Sequence, residues 1–183
     1  ATGRGSWFFT HFGFSGPAAM DVSGAMTAAD SFADLRLTVD LLPELSHEYV
    51  RQQLTQRDQD GGRRKVSAVI SDWLPGRLAR ALVLQTGADH TLAQLPGANV
   101  RKLLEQLKRL PLPVSGTRGF AKAEVTAGGV TLDEVDSRTM QSRICDGLLI
   151  AGEILDIDGP IGGYNFQAAF STGRAAGIAA ATI

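Results

Sequence analysis

The sequence predicts a mixed α+β fold in which a helical block is inserted between strands that pair with one another. Residues 35–41 alternate between apolar and polar side chains, which is typical of a half-buried strand. Residues 43–110 have the apolar spacing of helices, and residues 111–183 return to strand-like runs before a last helix. We therefore expect a strand, then helices, then strands, then a strand–loop–helix unit.

The helical block contains one helix with an especially clear pattern, over residues 97–110. Pro111 and Pro113 follow it and would end it. Further helices are predicted over residues 44–57 and 74–84, with a short helix or turn over 66–72 and a break at Gly61-Gly62. The stripe that would face the core of the clearest helix is Val100, Leu103, Leu104, Leu107 and Leu110.

After the helical block, the pattern predicts a hairpin and then a strand–loop–helix unit. Residues 120–126 and 130–135 flank Ala127-Gly128-Gly129, which resembles a tight turn. Residues 148–151 are predicted to form a short buried strand. The Gly-rich loop 156–163 follows, and a helix of small residues is expected over about 165–181.

The bulk composition excludes several classes of protein. The 183 residues are 44% hydrophobic and 20% charged, and their net charge of −1 argues against a nucleic-acid partner. A single cysteine, Cys145, excludes an internal disulfide and is typical of a reducing cytoplasm. No apolar run is long enough to span a membrane. We expect a cytoplasmic protein without a membrane partner, and we interpret the start at Ala1 as that of an excised or cleaved fragment.

The Gly-rich loop is the most informative stretch for chemistry. Glu153, Asp156 and Asp158 lead into Gly159, Gly162 and Gly163, where a backbone without Cβ atoms can approach a ligand. The next helix would present free N–H groups and the positive end of its dipole. A structural Gly-rich turn with solvent-facing acids remains an alternative.

Two other interpretations of this loop are weaker. In an EF-hand register counted from Asp156, Ile161 and Gln167 occupy the positions that require Gly and Glu, so a calcium loop is not expected. The phosphate-binding pattern GxxxxGK[ST] does not occur in the sequence. We predict no metal site.

Five stretches, in order, resemble the HI0933-like (BaiN-like) family of FAD-dependent NAD(P)/FAD oxidoreductases. The two most specific are AEVTAGGV within residues 119–135 and the Gly-rich block GLLIAGEILDIDGPIGGYNFQAAFSTGRAAGIAAA, residues 147–181. The other matching motifs are FFTHFGFSGPAAM, VDLLPE and TMQSR. The matches extend over nearly the whole chain, so we expect it to be a member of this family.

The resemblance implies a domain plan and a cofactor. It implies a β-barrel insertion domain in residues 1–42 and 111–139, a helical subdomain in 43–110, and the C-terminal piece of a Rossmann-type FAD domain in 140–183. It also implies FAD, with NAD(P)H as electron donor and a small-molecule substrate. No GxGxxG opens a helix in this sequence, so the ADP half of FAD would need a missing N-terminal Rossmann domain, and the fragment alone would be inactive.

The resemblance also carries over roles for particular residues. Glu153 corresponds to an acid near the ribityl or pyrophosphate region, and the start of the last helix corresponds to the pyrimidine edge of the flavin. The turn after residue 125 is expected beside the isoalloxazine ring. The cofactor-binding residues so implied are Glu153, Asp156, Gly162, Gly163, Tyr164, Asn165, Thr126, Gly128 and Gly129.

His11 is the candidate for a proton donor on the substrate side. Imidazole titrates near neutral pH, and flavin reductions often need a proton beside the hydride. A structural histidine that fixes the turn before Pro17 is the alternative interpretation. Cys145 has no CxxC partner, which makes a disulfide-reductase mechanism a poor expectation.

The function expected for the full-length protein is hydride transfer between flavin and a nicotinamide or organic substrate. The alternative is a non-catalytic binding or interaction domain that acts through the helical insertion. A third hypothesis, nucleic-acid binding by the helical block, conflicts with the near-zero net charge. The basic run Arg63-Arg64-Lys65 is interpreted as a solvated helix start.

Overall fold

The computed structural model of the protein describes residues 1–56 and 62–182. It divides into two compact units. The helical unit is residues 34–114, and the flanking unit is residues 1–33 together with 115–183. The mixed α+β class is confirmed. The three domain boundaries implied by the family remain a prediction.

Helices and short strands make up the regular structure of the described residues. In chain order they are β1 (Phe8–Thr10), β2 (Gly13–Ser15), α1 (Pro17–Thr27), β3 (Leu37–Val39), α2 (His47–Thr55), α3 (Val66–Ile70), α4 (Gly76–Gln85), α5 (Gly97–Arg109), β4 (Leu110–Leu112) and α6 (Tyr164–Ala180).

Within the helical unit, the helices lie between two strands that pair with one another, as the sequence pattern predicted. β3 and β4 are antiparallel, with Leu37 opposite Leu112 and Val39 opposite Leu110. Side chains 35, 37 and 39 are half-buried while 36, 38 and 40 are exposed, so the alternation is confirmed although the strand itself is shorter than predicted.

The core of the helical unit is formed by one face of each helix. The predicted stripe of α5 is buried, and Lys108 on the same helix donates hydrogen bonds to the carbonyl oxygens of Leu42 and Leu45, both at 2.7 Å. Lys108 also pairs with Asp40 at 2.7 Å, which holds the segment after β3 against α5. The fully buried large side chains of this unit are Val50, Leu54, Val66, Ile70, Val83, Leu103 and Leu107.

Two helices begin later than predicted because capping residues fix their starts. The Ser46 hydroxyl accepts the Tyr49 amide at 3.1 Å, so α2 begins at His47 rather than at residue 44. α4 begins at Gly76 rather than at residue 74, directly after Pro75. On α2, the hydrogen bond from Arg51 lowers the pKa of the Glu48 carboxyl to about 2. Arg57 and Gly61, which the sequence predictions included, lie outside the described residues.

The first part of the flanking unit is a hairpin followed by α1, a helix that the sequence pattern did not reveal. β1 and β2 pair antiparallel, with Phe9 opposite Phe14. Pro17 occupies the first turn of α1, which its fixed backbone angle suits.

The hairpin predicted over residues 120–135 is wrong. Val130 instead makes a parallel bridge with Leu155, and each side of that bridge is closed by a backbone hydrogen bond of 2.8 or 2.9 Å. Short 3₁₀ turns occupy Phe120–Lys122 and Leu132–Glu134. The strand predicted over 148–151 is also wrong, because it is reduced to the single bridge between Gln141 and Leu149.

Among the described residues, no helix combines the length and apolarity needed to cross a membrane. The same residues contain no cluster of three or more His, Cys, Asp or Glu side chains suited to a metal ion.

Candidate functional site

The start of α6 is an open helix terminus reached through two glycines with positive φ. Gly162 has φ 137° and Gly163 has φ 93°, angles that side chains with a Cβ rarely adopt. Gly162, Gly163 and Tyr164 are exposed, and no side chain caps the helix. Within the described residues, the first-turn amides of Tyr164, Asn165 and Phe166 have no hydrogen-bond acceptor. These amides and the helix dipole are therefore available to an electron-rich group.

Asn165 fixes the loop that precedes the helix. Its Oδ1 accepts the Gly159 amide at 2.8 Å, and its Nδ2 donates to the Gly159 carbonyl oxygen at 2.9 Å. At the other side of the loop, the Ile161 amide donates to Asp21 Oδ1 of α1 at 2.8 Å. The terminus is therefore held open by its own loop contacts.

A second group of predicted residues meets beside this loop. Glu153 Oε1 accepts the Thr126 amide at 3.1 Å, and Val130 pairs with Leu155. A Cβ on Gly129 would collide with the Ile154 carbonyl oxygen, so glycine is required for this approach. The two most specific family motifs, AEVTAGGV and the Gly-rich block, are thus in contact.

The remaining predicted residues of this cluster have open surroundings. The Asp156 amide donates a hydrogen bond to the Val130 carbonyl oxygen at 2.9 Å. The side chain of Asp156 is exposed. Gly128 has φ 92° and no atom within 4 Å of a built Cβ. Their predicted roles in cofactor binding remain predictions.

His11 lies in the exposed turn between β1 and β2. Its ring contacts the edge of Phe12 at 5.1 Å between centroids, and the Arg118 guanidinium lies over the same Phe12 ring at 4.2 Å. No described hydrogen bond joins His11 to the start of α6. Its role as proton donor remains a prediction.

The motif TMQSR forms a tight turn beside the small core of the flanking unit. Asp136 Oδ1 accepts the amides of Arg138 at 2.9 Å and Thr139 at 3.2 Å, and these bonds lower the pKa of its carboxyl. Met140 then adopts φ 59° and is buried against Val135 and Leu155. The motif therefore has a structural role in placing the segment that leads to Glu153.

Helix α6 has two apolar faces with different surroundings. One face packs on the small core: Ala175 and Ala176 contact it, Ala179 is buried, and Thr172 Oγ1 accepts the Gly152 amide at 3.0 Å. The opposite face is exposed, and both of its phenylalanines are 73% exposed. That face carries Phe166, Phe170, Gly173 and Gly177.

The family model described as "HI0933-like protein barrel and H2TH domain" matches residues 1–125. The chain belongs to the HI0933-like family.

Members of the HI0933-like family that resemble the chain are longer than it is. It is 32% identical over 171 residues to a ribosomal RNA dihydrouridine synthase of Haemophilus influenzae, covering 93% of this chain and 41% of that protein. The corresponding Escherichia coli protein is 34% identical over 171 residues, at 92% and 40% coverage. A 3-dehydro-bile acid delta(4,6)-reductase of Clostridium scindens is 34% identical over 155 residues, at 81% and 37%. The chain spans about two-fifths of the length of these curated relatives.

These relationships connect the HI0933-like chain with flavoprotein oxidoreductases at the level of the family. Sequence reasoning predicted the open terminus of α6. It named Thr126 and Glu153 separately and did not predict the hydrogen bond between them. It missed Asp21, because a hydrogen bond across 140 positions in the chain leaves no local pattern. The role of Asn165 in cofactor binding, through its backbone amide, remains a prediction, and the sequence did not indicate that its side chain bonds Gly159.

Proposed function

We propose that the protein is the flavin-facing part of an FAD-dependent oxidoreductase that reduces a carbon–carbon double bond conjugated to a carbonyl. The observation that carries this proposal is the exposed, unbonded set of amides at the start of α6. Such amides stabilise negative charge, and a reduced flavin ring carries negative charge at its pyrimidine edge.

The residues present fit one half of FAD. Glycines at 162 and 163 leave room for a flat ring, and the amides after them supply donors. The ADP half has no matching residues, since no GxGxxG strand–turn–helix occurs in the sequence. A Rossmann domain elsewhere in a longer protein would supply that half.

The exposed face of α6 also supports a Rossmann-type FAD domain as the partner of this chain. Phe166 and Phe170 are large, apolar and exposed, and Gly173 and Gly177 beside them allow close backbone approach. The curated relatives extend well beyond the aligned region. We therefore propose that the rest of the FAD domain packs against this face. We also propose that the segments 1–42 and 111–139 belong to a closed barrel in the complete protein.

Bound FAD would supply the hydride chemistry. The chain's own residues would do three things. The α6 amides stabilise charge, Asn165 keeps the loop in position, and the contact between Glu153 and Thr126 holds the adjacent turn. His11 is proposed as the donor of the proton that accompanies the hydride, and NAD(P)H as the source of electrons.

The reaction class is drawn from the names of the relatives. A dihydrouridine carries two more hydrogens than uridine, and a delta(4,6)-reductase removes double bonds. Both reactions add a hydride and a proton across a double bond. We propose the same class here, in a cytoplasmic protein, with a nucleoside or a small enone as the group reduced. The alternative remains a non-catalytic interaction domain.

The test uses the full product of the gene, purified in the wild-type form and with Asn165→Ala. Wild-type protein should contain bound FAD and lose its flavin absorbance under NAD(P)H without oxygen. Asn165→Ala should lower FAD occupancy severalfold, because the loop loses both hydrogen bonds to Gly159. Gln167→Ala removes a similar amide from the same helix and should leave occupancy unchanged, because its side chain bonds only Ser171.

A flavin-free wild-type gene product would contradict the oxidoreductase proposal and favour the interaction domain. Equal FAD occupancy in both variants would contradict the role given to the α6 loop.

A further inference from the structure

Asp21 joins α1 to the loop that precedes α6. Its Oδ1 accepts the Ile161 amide at 2.8 Å, across 140 positions of the chain. The loop is otherwise closed by Asn165 of α6, whose side chain bonds both the amide and the carbonyl oxygen of Gly159. Within the described part of the chain, the Asp21 bond is therefore the hydrogen bond that ties residues 159–163 to an element other than α6.

The start of α1 is fixed against the segment before β1, and this contact places Asp21. Pro17 occupies the first turn of α1, and the Ala18 amide donates to the Ser6 carbonyl oxygen at 3.3 Å. Gly16 passes so close to Ser6 that a Cβ on the glycine would collide with the same carbonyl oxygen. Asp21 follows about one helical turn after Pro17, so its position depends on this contact.

The charge of the Asp21 carboxylate has no counter-ion. Among the residues that the structure describes, this exposed side chain makes no ion pair. Asp40, Glu48 and Asp72, in contrast, each pair with a basic residue at 2.6–2.7 Å. An asparagine side chain would accept the same hydrogen bond without a charge. The charge and the hydrogen bond are therefore separable properties of Asp21.

The Asp21 charge lies within electrostatic reach of the open terminus. Two residues of backbone span at most about 7 Å, so Asp21 Oδ1 lies within about 10 Å of the Gly163 amide. The screening length at 0.1 M salt is also about 10 Å. Uptake of two electrons and one proton gives a reduced flavin one more negative charge than the oxidised flavin. A carboxylate at this range disfavours the reduced form, whereas the α6 amides favour it.

We infer that Asp21 holds the flavin loop through its hydrogen bond and lowers the reduction potential of a bound flavin through its charge. A lower potential makes the reduced flavin a stronger hydride donor. The hydride moves with its electron pair to one carbon of the double bond and a proton is added to the other, so the flavin is oxidised and the substrate reduced by two electrons. Asp21 is a positioning residue. The inference rests on the proposed function, because it concerns the flavin of that site.

The test uses the full gene product with FAD, in the wild-type form and in three variants. Asp21→Asn keeps the acceptor oxygen and removes the charge, whereas Asp21→Ala removes both. Asp30→Asn is the matched control, because Asp30 is an exposed acid of the same unit whose side chain has no hydrogen bond or ion pair among the described residues. FAD occupancy is measured by visible absorbance, and the reduction potential by equilibrium with a redox dye without oxygen.

Asp21→Asn should keep its FAD and have a higher reduction potential than the wild type. At a fixed dye potential, we expect its ratio of reduced to oxidised flavin to be about threefold to tenfold higher. A tenfold change corresponds to about 30 mV for two electrons. In 1 M salt the difference should shrink, because the screening length falls to about 3 Å.

Asp21→Ala should raise the potential in the same direction and also lower FAD occupancy severalfold, because the loop loses its bond to α1. Asp30→Asn should match the wild type in both measurements.

A potential of Asp21→Asn at or below the wild-type value would overturn the inference. Loss of FAD from that variant, or a rise in potential that persists in 1 M salt, would overturn it too. Equal FAD occupancy in Asp21→Ala and the wild type would refute the positioning role. Each of these results leaves a wild-type protein that binds FAD, and so leaves the proposed function standing. A flavin-free wild-type gene product would refute both.

Discussion

The two units differ in how completely each buries its own apolar residues. Among the described residues, the helical unit buries 16 hydrophobic side chains in one cluster, whereas the corresponding cluster of the flanking unit has 3. Of the 15 large apolar side chains that are exposed, 13 belong to the flanking unit. The helical unit therefore buries its apolar residues against one another. The flanking unit, which holds the candidate site, carries most of the large apolar side chains that are exposed in the described residues.

The largest effect is expected from a cavity in the helical unit. Leu103→Ala removes a fully buried side chain from α5 and should lower the free energy of unfolding by about 2–5 kcal/mol. Leu84→Ala, at a side chain that is 59% exposed in the same unit, should change it by less than about 0.5 kcal/mol. Urea unfolding followed by circular dichroism measures both. Similar losses for the two variants would show that the core assigned to the helical unit is wrong.

A smaller and more local effect is expected in the flanking unit from Gly129→Ala. The new Cβ collides with the Ile154 carbonyl oxygen, so the bridge between Val130 and Leu155 should open at a cost of about 1–3 kcal/mol. Amide NMR signals of residues 126–156 should move while those of α5 stay in place.

The matched control for that variant is Gly173→Ala on the exposed face of α6. Nothing lies within 4 Å of its built Cβ, and alanine should stabilise the helix by about 0.5–1 kcal/mol. Unchanged signals near Ile154 in Gly129→Ala would contradict the contact between the two family motifs.

The smallest effect concerns pH and the turn at Asp136. Hydrogen bonds from the Arg138 and Thr139 amides lower the pKa of the Asp136 carboxyl from its ordinary value of 3.8. A lowered pKa means that the stabilisation is fully present above the ordinary value and is lost as the pH falls through the lowered one. Exchange of the two amides, corrected for intrinsic rates, should therefore accelerate on acidification.

Asp136→Asn should make that exchange faster at neutral pH and remove its acid dependence. Asp133→Asn changes an exposed acid of the adjacent 3₁₀ turn and serves as the control. An acid dependence that survives in Asp136→Asn would assign the turn's pH sensitivity to another group.

The sequence predicts the elements of the helical unit better than those of the flanking unit. The reason is again the difference in how completely each unit buries its own apolar residues. A helix such as α5 buries one face against its own neighbours, so its period is visible in the sequence. Residues 120–135 pack little, and Val130 pairs with a distant residue. Their apolar pattern therefore resembled a hairpin that does not form. α1 was missed because its Ala- and Gly-rich sequence buries only Ala18.

The candidate site was predictable where local backbone rules apply. Two consecutive glycines before a helix indicated an open terminus, and the structure has one at Tyr164. The contacts that hold it, Asp21 to Ile161 and Glu153 to Thr126, join positions far apart in the chain. The net charge of the whole chain averages a basic helical unit and an acidic flanking unit, so it describes neither of them.

The central claim is that the amides at the start of α6 face a flavin. The most direct measurement is a titration of the isotope-labelled, flavin-free full gene product with FAD, followed amide by amide with NMR. The predicted result is that the signals of Gly162, Gly163, Tyr164, Asn165 and Phe166 shift progressively while those of α4 and α5 remain still. Shifts confined to other residues, or no shifts at a concentration of FAD that saturates the full gene product, would contradict the account.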